Sequence, residues 1–250
     1  MHNIAEDYAQ SDFSSDLKKA QAGDPLAQLN IAACYARGIH VVASSTEAKR
    51  WYEASANQDF AEAQNCLGRF CQARREYPDA LRWFKKAAAA GIVDAYNNVG
   101  CMYSNGQGMA KSMPDALFWI RQAAEAGHPL AQNTLGIWYG SGEGVPQDDA
   151  QAVIWFRKSS MQGNPQAHAN LAVHYYRGAG VSRDISMTYA LFKVGSFFSP
   201  AVQSNLERLK SSLGQAELKL GEAKFIELRS QIGVPTALFS QAYKDVVSYD

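Results

Sequence analysis

Apolar and small residues recur along this chain with two periods at once. The short period is helical. Ala131, Leu135 and Tyr139 stand four apart with Gly136 beside them, a spacing that places all four on one stripe of a helix. The long period repeats whole stripes, since Trp51, Trp83, Trp119 and Trp155 are 32, 36 and 36 residues apart. Counting from Gly23, Asp59, Gly91, Gly127 and Gly163, the fourth following residue is always alanine (Ala27, Ala63, Ala95, Ala131, Ala167). The eighth is aliphatic (Ile31, Leu67, Val99, Leu135, Leu171) and the ninth is small (Ala32, Gly68, Gly100, Gly136, Ala172). The twelfth is Tyr35, Cys71, Tyr103, Tyr139 or Tyr175. The small residue lets another helix approach closely, and the tyrosine supplies ring area to bury.

After the last three of these stripes comes a loop with paired glycines: Gly106 and Gly108, Gly142 and Gly144, Gly178 and Gly180. Such pairs stop a helix and accept positive φ. Pro and Asp residues then start a second helix (Pro114 and Asp115; Pro146 and Asp148). This helix carries Ala116, Trp119, Ile120, Ala123 and Ala124 in one copy, and Ala152, Trp155, Phe156, Ser159 and Ser160 in the next. Each repeat is therefore predicted as helix–turn–helix. One such pair cannot bury both stripes, whereas about three or more stacked pairs can.

The domain plan is an N-terminal arm with a partial capping helix at 1–22, five repeats at 23–199, and a partial sixth repeat with a helical C-terminal cap at 200–250. Asp16 to Ala20 suits the last turns of the first cap. Gln215 to Ser230 alternates charges among Leu218, Phe225 and Leu228, which suits a cap with one wet face. Gly233-Val234-Pro235 breaks it. A last segment, Ala237 to Val247, spaces Phe239, Tyr243 and Val246 helically, either to dock on the final repeat or to reach a partner. Two departures predict an unusual N-terminal edge. The repeat from Asp59 is four residues short, with Gln72 to Glu76 replacing the glycine loop. The first repeat has Gly38-Ile39-His40-Val41 and lacks the second glycine.

The run Gly127-His128-Pro129-Leu130-Ala131-Gln132-Asn133-Thr134-Leu135-Gly136, with Tyr139, Gly142-Glu143-Gly144-Val145-Pro146-Gln147-Asp148, Ala152 and Trp155-Phe156-Arg157-Lys158, resembles the Sel1-like repeat family, a relative of tetratricopeptide repeats. The resemblance covers roughly Ala20 to Pro200. It implies an all-α, right-handed α/α superhelical solenoid of about five Sel1-like repeats with a helical C-terminal cap, having a concave and a convex face.

Composition narrows the function. Of 250 residues 47% are apolar, and 24 Lys and Arg balance 24 Asp and Glu. A nucleic-acid binder is not expected, because phosphate contacts need a basic surplus. No run approaches the roughly 18–20 apolar residues of a membrane span. No secretory signal is visible at the N-terminus, which points to the cytoplasm; a removed signal would place the protein in the periplasm.

Candidate chemistry is sparse. Cys34, Cys66, Cys71 and Cys101 form no CxxC pair and suit small buried helix residues. His168 and His174, six apart, lie on different faces of one helix and make poor co-ligands. No phosphate-loop, dinucleotide, HExxH or GxSxG motif occurs. Neither a metal, a cofactor nor a catalytic residue is expected. The resemblance does imply one enzymatic alternative, β-lactam binding or hydrolysis, and an SxxK is present at Ser15 and Lys18, but without SDN or KTG.

What remains is a surface. By analogy with tetratricopeptide repeats, the first helix of each pair lines the concave groove. Asn65, Asn97 and Asn133 then form a ladder up its middle, able to pair with a peptide backbone. Arg69 stands beside it, and Leu130, Ile137, Val173 and Tyr176 make an apolar patch in the C-terminal half. The neighbouring Asn30, Asn98 and Asn170 suit bridges between helices. The expected function is a non-catalytic bacterial scaffold or adaptor holding a protein partner. An immunity protein neutralising a secreted toxin is the alternative that the resemblance implies.

Overall fold

The computed structural model describes residues 13–232, and among them are thirteen helices and no strand. The expectations for residues 1–12 and for the stretch from Gly233 to Val247 lie outside the described residues. The chain divides into two compact units, residues 1–119 and 120–250. The first holds α1 (Phe13–Gln21), α2 (Pro25–Arg37), α3 (Ser45–Ala56), α4 (Ala61–Ala73), α5 (Tyr77–Ala89) and α6 (Val93–Asn105). The helix α7 (Met113–Glu125) spans the division. The second unit continues with α8 (Pro129–Ser141), α9 (Asp149–Met161), α10 (Pro165–Arg177), α11 (Ile185–Ser196), α12 (Pro200–Lys210) and α13 (Gln215–Ile232). Helices that follow one another pack together along each unit as far as α12, whereas α13 turns back onto α11.

Local chemistry explains the helix ends. Asp24, Ser44, Asp148, Asn164 and Asp184 accept the amide of the third residue onward, satisfying an otherwise orphaned donor. Gly38, Gly106, Gly142 and Gly178 close the first helices in the left-handed conformation. The second loop glycine has a further reason. A Cβ on Gly180 would stand 2.2 Å from the carbonyl of Asp149, because the loop lies on the start of the preceding second helix. In the first repeat His40 takes that position with φ 63°. The short repeat joins α4 to α5 through Arg74 to Glu76 alone, with Arg75 left-handed. Glu76 there binds both Lys49 (2.6 Å) and Arg74 (3.0 Å), and these hydrogen bonds hold its carboxyl below the usual range.

The core of each unit lies between first and second helices. The small ninth residue marks the closest approach. A Cβ on Gly68 would lie 2.6 Å from the Phe84 ring, and one on Gly136 would lie 2.7 Å from that of Phe156. The repeat tyrosines add polar ties as well as ring area. Lys85 donates to Tyr103 Oη (2.9 Å), Arg121 to Tyr139 Oη (3.2 Å) and Arg157 to Tyr175 Oη (2.8 Å). A second tie comes from Gln28, Gln64 and Gln132, whose amides donate to the carbonyls of Ala20, Ala56 and Ala124 in the last turn of the preceding helix.

The cap is built in the same way. Gly221 of α13 lies against the Tyr189 ring of α11 at 2.6 Å from a built Cβ. Beside it Glu222 accepts from Tyr189 Oη and Lys193 Nζ, both at 2.6 Å. Burial pushes the Glu222 carboxyl up, but the hydrogen bonds from Lys193 and Tyr189 outweigh it and hold it low. The Tyr189 hydroxyl is pushed well above its ordinary value by burial and by that carboxylate.

Candidate protein-binding groove

The asparagine ladder sits differently from its expectation. Asn65, Asn97 and Asn133 are 7%, 8% and 8% exposed, so they face neighbouring helices more than solvent. Asn98 Nδ2 donates to Asn65 Oδ1 (3.1 Å) and Asn170 Nδ2 to Asn133 Oδ1 (3.0 Å). Asn30 donates to Asp16 (3.3 Å). The bridging asparagines thus use up the acceptors of Asn65 and Asn133 that a peptide backbone was expected to meet, while Asn97 Oδ1 is buried with no partner among the described residues. The physical reason is distance: an amide short enough to lie between two close-packed helices is buried by them, and a buried amide needs its partner there.

The apolar residues are open to solvent. Leu130 is 56% exposed, Ile137 42% and Tyr176 48%, and Val173 is half-buried. Arg69 is exposed on α4 in the first unit. Two clefts open between the successive first helices of the second unit. One, of about 340 Å³, lies between α8 and α10 and is lined by Ile137, Asn170, Val173, His174 and Arg177. The other, of about 490 Å³, lies between α10 and α12 and includes Val173, Tyr176, Arg177 and Arg208. The two clefts adjoin at α10, and Val173 and Arg177 line both. In the first cleft His174 Nδ1 lies 2.9 Å from the Asn170 carbonyl, which places the proton there, and Nε2 lies 3.5 Å from Asp149. Over Tyr176 lies the guanidinium of Arg183, 5.7 Å from the ring centre.

Sequence reasoning missed Arg177, Arg183 and Arg208. Their signal was available but diffuse: Arg177 and Arg208 in the last turns of first helices and Arg183 in the loop after one, in a chain with no net charge. Among the described residues no cluster of His, Cys, Asp and Glu gathers for a metal, and no helix is long and apolar enough to cross a membrane. Ser15 and Lys18 lie on α1, away from both clefts.

Stacked helix–turn–helix pairs with an open groove between first helices define an α-helical repeat protein. The chain belongs to the Sel1 repeat family: the Sel1 repeat model matches residues 25–60, 61–92, 93–128, 129–164 and 165–194. Among solved structures it is similar to a Sel1 repeat protein from Oxalobacter formigenes. The identity is 25% and the TM-score 0.70, over 83% of this chain and 89% of that one. It is also similar to c5321, a protective antigen of uropathogenic Escherichia coli strains with an SLR fold. There the identity is 26% and the TM-score 0.57, over 95% of this chain and 59% of that one. No curated protein matches. Sel1 repeats are generally scaffolds for protein–protein interaction.

Proposed function

We propose that this protein is a non-catalytic scaffold of the cytoplasm that holds a protein partner along the groove of its first helices. Leu130, Ile137, Val173 and Tyr176 supply the apolar contacts, and Arg69 is a polar contact on the first unit. The observation that carries this reading is the exposure of Leu130, Ile137 and Tyr176 on neighbouring first helices, where folding alone gives no reason for them. Tyrosine is well suited to the role, having a large rigid ring, a polar tip and few rotamers to freeze. Asn133 supports this surface from beneath in the second unit, as Asn65 and Asn97 do for the first helices of the first unit.

Affinity capture from the native organism with quantitative mass spectrometry tests this. Wild type should enrich one protein, and Ile137→Asp with Tyr176→Asp should lose it while keeping the wild-type melting curve. Undiminished enrichment by the double variant sinks the groove reading.

A further inference from the structure

The cleft between α10 and α12 has a one-sided charge. Its floor is apolar, made by Val173, Phe192 and Leu209 with Tyr176 at the side. Its two formal charges are both positive, Arg177 and Arg208, and no carboxylate lines it. Both arginines are exposed, and among the described residues neither has an ion pair; Arg208 meets only the Asn205 side-chain oxygen, at 3.3 Å. A third cation, Arg183, covers Tyr176 and donates to its backbone carbonyl (3.1 Å). The nearest acidic residue along α12, Glu207, is occupied by Lys210 and Gln203. In a chain with 24 positive and 24 negative residues, three arginines without a carboxylate around one apolar cleft are a local imbalance.

We propose that this cleft takes an acidic peptide segment of the partner, a side-chain carboxylate lying between Arg177 and Arg208 and a neighbouring apolar side chain on Val173 and Tyr176. The inference deepens the groove reading and rests on it. Guanidinium is the natural partner of a carboxylate because its planar fork donates paired, charge-assisted hydrogen bonds to the two oxygens. Asn205, whose amide nitrogen remains available beside Arg208, suits a backbone carbonyl of the same peptide. Val173 and Arg177 also line the neighbouring cleft that holds Ile137, which lies next along an extended segment.

Fluorescence polarisation with the full chain tests the chemistry. The probe is an acetylated, amidated octapeptide of alternating leucine and glutamate. Its comparison peptides have glutamine for glutamate, either amidated or with one free C-terminal carboxylate. The glutamate peptide should bind at least about tenfold tighter than the amidated glutamine peptide, and less tightly as salt rises. Arg177→Gln with Arg208→Gln should remove that preference and leave the circular dichroism melt unchanged. Equal binding of both amidated peptides overturns the acidic assignment, as does binding by neither. Preference for the free C-terminal carboxylate overturns it too, by making a chain end the occupant. A synthetic 233–250 peptide binding tighter than the octapeptide does the same, by making this chain's own C-terminal segment the occupant. The groove reading fails separately, through the capture experiment with Ile137→Asp and Tyr176→Asp.

Discussion

Gly136 lies beneath the ring of Phe156, so close that a Cβ there would stand 2.7 Å from the ring. Phe156 is 2% exposed and packed in the core of the second unit. Gly136→Ala should therefore destabilise the protein, although alanine favours helix over glycine by about 1 kcal/mol. Overpacking of this kind costs about 1–3 kcal/mol and outweighs that gain. Urea unfolding of the variant checks the sign.

Glycines at the loops should rank by what surrounds them. Gly163 has φ +79° and nothing within 4 Å of a built Cβ, so Gly163→Ala meets only the left-handed penalty of about 1–2 kcal/mol. Gly180 has φ +69° and the backbone of Asp149 at 2.2 Å. Gly180→Ala should be the more damaging, because a backbone cannot swing aside as a side chain can. Urea midpoints of the two variants give the order, and a reversed order would remove the loop-contact account.

His168 should make the second unit acid-sensitive. Its ring is fully buried, Nδ1 lies 2.8 Å from the Asn164 carbonyl and Nε2 has no partner. Burial pushes its pKa below the ordinary value of 6.5. The unfolded chain then binds a proton that the folded chain refuses. Stability is full above pH 6.5 and is lost as pH falls from there through the lowered folded value. The same repeat position holds Gln28, Gln64 and Gln132, each donating to the preceding helix. His168→Gln should restore that tie to Ser160 and flatten the loss between pH 7 and pH 5 in thermal melts.

The two asparagine bridges should be coupled in energy. Asn170→Ala leaves Asn133 buried with an unpaired acceptor, which costs about 1–3 kcal/mol. A double-mutant cycle of Asn133→Ala and Asn170→Ala should show a second substitution that costs less than the first. Strict additivity would mean that the 3.0 Å contact carries no energy.

All four cysteines should resist alkylation in the folded protein. Burial raises each thiol above its ordinary value, Cys71 to about 11, so thiolate is scarce at pH 8. Labelling should become rapid only with unfolding, measured by mass shift against denaturant.

The sequence by itself determined the repeat, its helix ends and its small ninth position. These are requirements that the backbone meets locally or that recur often enough to be counted: a left-handed stop at Gly142, a proline in the first turn at Pro129, a stripe through Ala131, Leu135 and Tyr139. It also placed Leu130, Ile137, Val173 and Tyr176 on one side of their helices. Only the tertiary structure decided which polar groups are left over. A helical period tells which side of a helix Asn133 occupies, but not how near the next helix comes. That distance turned Asn133 from a groove contact into one half of a bridge with Asn170, 37 residues away. The same packing gave the repeat tyrosines their cationic partners and set Arg177 and Arg208 around a cleft lined by no carboxylate. A side chain's burial and pairing depend on atoms brought together from distant repeats, and spacing along one chain does not contain those distances.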